Sequence, residues 1–231
     1  GPHSGTRLPI DGNKLPGVLV CTDFLRNASE GKETGMGKKV IVLGAGNVAF
    51  DCARSAVRLG AETVYLACRK PLSAIKADLE EIEQAKEEGV VFLDARTFDA
   101  VAGTEKVEGM MLSKIARTYT DENGKNIVEK VPDSQETVAV DTVIFAVGQR
   151  STLKEECGFD LGKANSAAVR PGSYMTSADG IFACGDVVTG TKSVIEAVAA
   201  ARTTASEVDR FLGGDGDISE QLLDRTAHAP A

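Results

Sequence analysis

The pattern of apolar and polar positions between residues 39 and 70 predicts a strand, a helix and a second strand. Residues 40–43 form a short apolar run rich in β-branched residues, which is typical of a buried parallel strand. Small or apolar residues then recur at 48, 49, 52, 53, 56 and 57, the period of a helix with one buried stripe. Gly60 suits the position after a helix end, and 63–67 is the next apolar run.

The same reasoning extends this unit towards the middle of the chain. It predicts a helix from about Ser73 to Glu88, ended by Gly89, and a third strand at 90–93. Residues from about 97 to 140 change to β-rich pieces around 107–119, 127–131 and 137–140, with Asn123-Gly124 as a hairpin turn. A buried strand returns at 141–148. These elements predict an α/β fold of Rossmann-like type with an inserted β-meander.

The sequence pattern after residue 148 predicts a second structural unit. Residues 149–175 are irregular, Ile181 to Cys184 suggests a strand, and a long helix runs from about Ser193 to Leu212. Its apolar stripe comprises residues 194, 195, 198, 201, 205, 208 and 212. The expected divisions are 1–38 (linker and a short helix near Asp23), 39–148 (nucleotide-binding domain), 149–214 (half of a second domain) and 215–231 (flexible tail).

Composition and charge narrow the classes of function. The 231 residues carry a net charge of −8, which argues against nucleic acid or an anionic membrane as partner. There is neither an apolar run of membrane-spanning length nor a signal peptide, so we expect a cytoplasmic protein. The five cysteines are scattered, which argues against a disulfide framework or a metal site. His3 and His228 fall in expected flexible ends, and no catalytic side chain is predicted.

A glycine-rich turn follows the first strand, with Gly44, Ala45, Gly46, Asn47, Val48 and Ala49 in a G-x-G-x-x-A order. Gly44 allows a tight turn, Gly46 lets a pyrophosphate approach the backbone, and Ala49 lets the helix pack closely on the sheet. The helix N-terminus offers free N–H groups to phosphates. Within the strand–turn–helix–strand frame, the motif predicts a dinucleotide site; the alternative is a glycine-rich turn that binds nothing.

The residues after the second strand predict which dinucleotide binds. An NAD site usually has an acidic residue there, whereas this strand continues into Cys68-Arg69-Lys70. Glu62 stands at the strand's start, the opposite edge of the sheet. Arg69 and Lys70 suit a 2′-phosphate, so the sequence favours NADPH over NADH; the alternative is a solvated basic pair.

Gly185 and Asp186 are a second candidate ligand-binding position. They follow the predicted strand 181–184 and precede a helix N-terminus. An aspartate there can accept hydrogen bonds from sugar-like hydroxyls. The alternative is a strand that ends in Gly-Asp at a plain turn.

Five stretches together resemble one family. They are LPGVLVCTDFLR, VIVLGAGNVAFDCARSAVRLGA, CRK with EEIEQAKEEGV, DTVIFAVGQR, and GIFACGDVVTGTKSVIEAVAAAR, in family order over most of residues 7 to 212. The chain resembles the C-terminal part of the NADPH-dependent glutamate synthase small (β) subunit family of flavoproteins. Related domains occur in dihydropyrimidine dehydrogenase and in electron-bifurcating NADH-dependent ferredoxin:NADP oxidoreductase.

The resemblance implies roles for matching residues. Gly44, Gly46, Asn47, Val48 and Ala49 match the family's NADPH pyrophosphate loop, and Arg69 and Lys70 match its 2′-phosphate pair. Ala146, Val147 and Gly148 match the second glycine motif, where the chain returns to the flavin domain. Gly185 and Asp186 match the FAD motif, and Thr191, Ser193 and Val194 match a helix start near the isoalloxazine ring. The implied reaction passes hydride from NADPH to FAD, and electrons then go to an iron–sulfur centre or a partner subunit.

The chain also departs from the family pattern. No glycine motif precedes Gly44 and there is no cysteine cluster, so we expect the whole NADPH domain with only the second half of the FAD domain. The strand 181–184 would then lack neighbours and the helix from Ser193 would expose its apolar stripe. We expect this segment to be partly disordered, repacked, or paired with another molecule: the missing FAD/iron–sulfur region, a partner subunit or a second copy. Purified chain should then contain little flavin. The alternative function is a nucleotide-binding module without turnover.

Overall fold

The computed structural model describes residues 1–75, 77, 79–122, 124 and 126–218. The chain divides into two compact units, one formed by Ser4–Gln149 and one by Gly1–His3 with the chain from Arg150 onward. The strands, in chain order, are β1 (Ser4–Gly5), β2 (Val18–Val20), β3 (Lys39–Leu43), β4 (Thr63–Ala67), β5 (Val91–Leu93), β6 (Arg96–Ala102), β7 (Gly109–Thr120), β8 (Asn126–Lys130), β9 (Glu136–Val138), β10 (Thr142–Phe145) and β11 (Gln149–Arg150). The α-helices are α1 (Cys21–Ser29), α2 (Asn47–Arg58), α3 (Leu79–Glu87), α4 (Asp186–Thr189) and α5 (Val194–Phe211).

A five-stranded parallel sheet forms the centre of the first unit, in the order β2-β10-β3-β4-β5. Alternate residues of β3 face opposite layers, as the period of a strand requires. Val40 and Val42 pack in the cluster that contains α1, α2 and α3. Ile41 and Leu43 pack in a second cluster with residues of the antiparallel sheet. The unit therefore has three layers: helices, parallel sheet and antiparallel sheet.

The antiparallel sheet contains β6, β7 and β8 in that order, with β9 also paired to β7. It confirms the inserted β-meander, although β6 was not among the predicted strands. The predicted hairpin turn includes Asn123, which lies outside the described residues. The Rossmann-like α/β fold class is confirmed.

The first 38 residues are expected to form a linker and one short helix, and the structure differs there. Strand β2 pairs with β10 in the parallel sheet, with Leu19 in register with Ile144. Helix α1 follows and buries Cys21 and Phe24 against α2. Three residues are too few to show a strand period, so the sequence around Val18–Val20 did not reveal this strand.

Helix α3 is shorter than the predicted helix from Ser73 to Glu88. The structure has a 3₁₀ turn at Leu72–Ala74 and α3 at Leu79–Glu87; Lys76 and Asp78 lie outside the described residues. Arg54 of α2 donates to Glu81 at 2.8 Å and to Glu88 at 3.0 Å. These charge-assisted bonds fasten α3 to α2.

The second unit contains α4, α5 and two further 3₁₀ turns, Glu155–Cys157 and Lys163–Asn165. The predicted strand 181–184 is wrong: Phe182 makes an isolated antiparallel bridge with Met175 and no strand forms there. The predicted long helix is confirmed as α5, with Ser193 as its N-cap and Leu212 as its C-cap. Most of the predicted tail 215–231 lies outside the described residues, as does His228.

In the described part of the chain, no helix is both long enough and apolar enough to cross a membrane.

Candidate functional site

Three strand ends of the parallel sheet meet at its carboxyl edge. Leu43 of β3 is in register with Ala67 of β4 and with Phe145 of β10. The chain beyond each strand stays joined to its neighbour, since the Gly44 N–H donates to the Ala67 carbonyl and the Ala146 N–H to the Leu43 carbonyl, both at 2.9 Å. The predicted residues of the glycine turn, of the basic pair and of 146–148 therefore lie at one edge of the sheet.

Gly44 is required by the fold itself. Its φ of +147° lies in a region that side chains rarely adopt, and an added Cβ would stand 2.3 Å from the Ala146 carbonyl oxygen. The two strand ends can approach this closely because residue 44 has no side chain.

Gly46 has no such internal reason to be glycine. Its φ of −94° suits any residue, and an added Cβ would meet no atom of the described residues within 4 Å. Gly46 is the N-cap of α2, and among the described residues no side chain caps this helix end. The first turn also lacks an acidic residue. The space above Gly46 therefore borders an electropositive, uncapped helix end, which suits an anion.

Ala49 packs α2 onto the sheet. It is fully buried in the cluster that holds Val42 of β3 and Leu66 of β4. Ala45 and Val48 are partly buried against the same cluster, whereas Asn47 is exposed. The inner side of the turn therefore packs against the core, and its outer side is exposed to solvent.

Arg69 and Lys70 extend the carboxyl edge beyond β4. Both side chains are exposed, and within the described ranges neither makes a hydrogen bond or an ion pair. Glu62 is at the other end of β4, where its N–H donates to the Lys38 carbonyl at 2.8 Å. The cations thus lie on the same edge as the α2 N-terminus, and the acid on the opposite edge, as expected.

Residues 146–148 form the third part of this edge. Ala146 and Val147 are partly buried on the two opposite faces of the sheet. Gly148 is exposed, has a φ of +124°, and accepts a hydrogen bond from the Thr6 N–H at 2.9 Å. The N-terminal segment therefore borders the edge as well, a contact that the sequence alone did not reveal.

Gly185 and Asp186 are in the second unit. Gly185 has a φ of +70° and is the N-cap of α4. The Asp186 carboxylate accepts the Lys192 N–H at 3.2 Å, which closes a loop between α4 and α5. Gly-Asp here follows an irregular segment rather than the predicted strand.

The N-terminus of α5 is capped by side chains at its own start. Ser193 and Glu196 form a capping box, with each side chain accepting a hydrogen bond from the other's backbone N–H. The hydrogen bond from the Ser193 backbone, with help from the Ser193 hydroxyl and Lys192, lowers the pKa of Glu196. Thr191 is exposed beside this cap.

The apolar face at the start of α5 is exposed. Val194 is 79%, Ile195 80% and Val198 55% exposed. This agrees with the expectation that the helix would present its stripe to solvent. Further along, Phe211 makes an edge-on contact with Phe182, with ring centroids 5.8 Å apart.

A family model described as pyridine nucleotide-disulphide oxidoreductase matches residues 3–205. The chain belongs to this family. Its relatives include the NADP(+)-dependent formate dehydrogenase subunit beta of Moorella thermoacetica, 33% identical over 92% of this chain. The NADPH-Fe(3+) oxidoreductase subunit beta of Geobacter sulfurreducens is 35% identical over 82% of the chain. The glutamate synthase [NADPH] small chain of Halomonas elongata is 36% identical over 87%. The resemblance to glutamate synthase small subunits is confirmed.

The chain spans 31% of the formate dehydrogenase subunit, 32% of the Geobacter subunit and 46% of the Halomonas small chain. Among solved structures, Mycobacterium tuberculosis FprA in complex with NADPH superposes with a TM-score of 0.76 at 17% identity, over 92% of this chain and 62% of FprA. The thioredoxin reductase of T. acidophilum superposes with a TM-score of 0.62 at 18% identity, over 89% of this chain and 62% of that protein. These likenesses show a Rossmann-type fold.

The sequence alone did not indicate two neighbours of the candidate site. Thr6 reaches Gly148, and the segment Asp94–Arg96 reaches the turn that carries Arg69 and Lys70. Asp94 follows directly after the predicted strand 90–93. Because the carboxyl ends of parallel strands meet at one edge of a sheet, this polar residue could have indicated a further neighbour of the site.

Proposed function

We propose that this chain is the NADPH-binding portion of a flavin-dependent oxidoreductase of the glutamate synthase small-subunit type. One observation carries the proposal: the uncapped α2 N-terminus, open above Gly46, shares the carboxyl edge of the sheet with the exposed cations Arg69 and Lys70. A ligand with a pyrophosphate and a separate phosphate matches this arrangement.

The fit to NADPH can be followed group by group. The backbone of Gly46, Asn47 and Val48 would hold the pyrophosphate, because it combines open space with N–H donors at a helix start. Arg69 and Lys70 would hold the 2′-phosphate, the Arg through paired N–H groups. Residues 146–148 would border the remaining half of the dinucleotide. When bound, NADPH supplies a hydride, and FAD accepts it in the family chemistry.

The FAD part of the proposal concerns the second unit. Gly185, Asp186 and the start of α5 would contribute half of a flavin site, and Asp186 retains one carboxylate oxygen beyond the one that accepts the Lys192 N–H. The exposed face of Val194, Ile195 and Val198 favours completion by another part of the same enzyme or by a partner subunit. That partner would pass electrons to an iron–sulfur or subunit-borne acceptor. A cytoplasmic location stays a prediction.

A second candidate is a nucleotide-binding module without turnover. Residues 181–184 are described and form no strand. This favours the module, because Rossmann-type folds bind their ligands at the carboxyl ends of sheet strands. A diaphorase assay with added FAD and an artificial acceptor separates the two: reduction of the acceptor supports the oxidoreductase, and NADPH binding without reduction supports the module.

Calorimetric titration with NADP⁺ and NAD⁺ tests the proposal. We expect NADP⁺ to bind more tightly than NAD⁺, and Arg69→Ala to weaken NADP⁺ binding by about 1.5–3 kcal/mol, over tenfold, with NAD⁺ unaffected. Arg26→Ala is the matched control, because Arg26 is an exposed arginine of α1 paired with Asp23 at 3.7 Å. Equal affinity for the two nucleotides in the unchanged chain would overturn the choice of NADPH.

A further inference from the structure

The turn that carries Arg69 and Lys70 is held by the segment that follows β5. The Asp94 carboxylate accepts a hydrogen bond from the Leu72 N–H at 2.7 Å. Leu72 begins the 3₁₀ turn Leu72–Ala74, and its N-cap, Pro71, supplies no side-chain hydrogen bond. Asp94 therefore fixes the far end of the turn, two residues beyond Lys70.

The near end of the turn is fixed through backbone groups of the same segment. The Ala95 N–H donates to the Lys70 carbonyl at 3.2 Å, and the Arg96 N–H donates to the Cys68 carbonyl at 2.9 Å. Ala95 has a φ of +50°, which is unfavourable for a residue with a side chain. Its own carbonyl accepts from the Ile115 N–H at 2.9 Å, so this backbone is held on both sides.

Asp94 is itself oriented by a neighbour on the antiparallel sheet. The Arg96 guanidinium donates to the Asp94 carbonyl at 2.9 Å and to the Glu136 carboxylate at 3.1 Å. The chain of contacts thus runs from β9 through β6 to the turn after β4. Since the side chains of Arg69 and Lys70 have no partner of their own among the described residues, their placement depends on the backbone of this turn.

We propose that Asp94 is a positioning residue for NADP⁺ over NAD⁺: it holds the turn so that Arg69 and Lys70 face one 2′-phosphate. This inference rests on the proposed function. It assigns selectivity to a residue that does not touch the nucleotide. The turn without its bond to Asp94 would sample other conformations, and the apparent affinity for the 2′-phosphate would fall by the fraction of competent conformers.

Asp94→Ala and Asp94→Asn together test the inference by titration of the chain with NADP⁺ and NAD⁺. Both variants remove the same negative charge, so any direct effect of that charge on the phosphate is common to both. Asn keeps an oxygen that can accept the Leu72 N–H, whereas Ala does not. We expect Asp94→Ala to weaken NADP⁺ binding about threefold to tenfold with NAD⁺ affinity unchanged, and Asp94→Asn to restore it.

Asp141→Ala is the matched control for a purely structural loss. Asp141 accepts backbone N–H bonds from Lys38 at 2.9 Å and Lys39 at 3.1 Å at the opposite, amino edge of the sheet. We expect it to lower thermal stability without changing the ratio of NADP⁺ to NAD⁺ affinity. An unchanged ratio in Asp94→Ala, or equal shifts in Asp94→Ala and Asp94→Asn, overturns the inference while the unchanged chain still prefers NADP⁺. If the unchanged chain shows no preference for NADP⁺, the proposed function and this inference both fail.

Discussion

Gly44 and Gly46 stand in one turn, yet they are glycines for different physical reasons. Gly44 adopts a φ of +147° and abuts the Ala146 carbonyl. Gly46 has an ordinary φ and faces open space at the start of α2. Gly44 is needed for the fold, whereas Gly46 leaves a space that no described residue fills.

Alanine substitutions should separate these two roles. Gly44→Ala is expected to destabilise the chain by about 2–4 kcal/mol, because strain and a backbone clash act together. Gly46→Ala should cost at most about 1 kcal/mol, the usual loss when an N-cap glycine becomes alanine. It should nevertheless weaken NADP⁺ binding at least about tenfold, since its methyl group would enter the space proposed for the pyrophosphate. Urea denaturation and calorimetry measure the two effects; undiminished NADP⁺ affinity in Gly46→Ala would show that no phosphate approaches that backbone.

At the scale of the element, the antiparallel sheet contains a polar cluster around Asp99. The register of β6 against β7 shifts between Phe98 and Ala100, which turns Asp99 towards neighbouring polar groups. Its carboxylate accepts from Thr97, Ser113, Lys130 and Gln135. Burial acts to raise the pKa of Asp99, but these hydrogen bonds outweigh burial and hold the pKa at about 2.

This low pKa predicts a pH dependence of stability. A carboxyl whose folded-state pKa lies below its unfolded value of about 3.9 stabilises the fold above that value, and the contribution is lost as pH falls towards the folded pKa. Asp99→Asn should therefore lower the free energy of unfolding by about 1–2 kcal/mol at pH 6, with the difference shrinking between about pH 4 and pH 2. Urea denaturation at several pH values measures it. A difference that does not vary with pH would assign the loss to packing instead of charge.

Across the whole molecule, the two units differ in how much apolar core they contain. Among the described residues, Ala167 and Ala200 are the buried hydrophobic residues beyond position 149. The unit of residues 4–149 holds the two large clusters around β3 and β10. The second unit therefore has little hydrophobic burial of its own to stabilise it.

Hydrogen exchange should reveal this difference. Amides of β3 and β10 should be protected close to the global stability of the chain, whereas amides of residues 150–190 should exchange at least roughly 100-fold faster, because regions with few buried contacts open locally. Mass spectrometry of the exchanged chain gives the comparison. Equal protection in both regions would indicate that another copy or an unrecognised packing surface covers the second unit.

The sequence by itself determined the elements whose signals lie within one contiguous stretch. A nucleotide-binding site at the carboxyl edge of the sheet was predicted from four local features: the apolar run of β3, the glycine turn, the period of α2 and the basic pair after β4. Ser193 and the terminal glycines bounded α5 closely. Each of these depends on backbone propensity and on neighbours a few residues away.

Only the tertiary structure decided the pairings between segments far apart in the chain. Val18–Val20 became a strand because β10 lies beside it, and 181–184 did not, because no strand flanks it in the described residues. Thr6 met Gly148, and Asp94 met Leu72, through the same long-range closure. A backbone hydrogen bond between strands needs a partner that local sequence does not specify, so these contacts, and with them the support of the basic pair, appear only once the chain has folded.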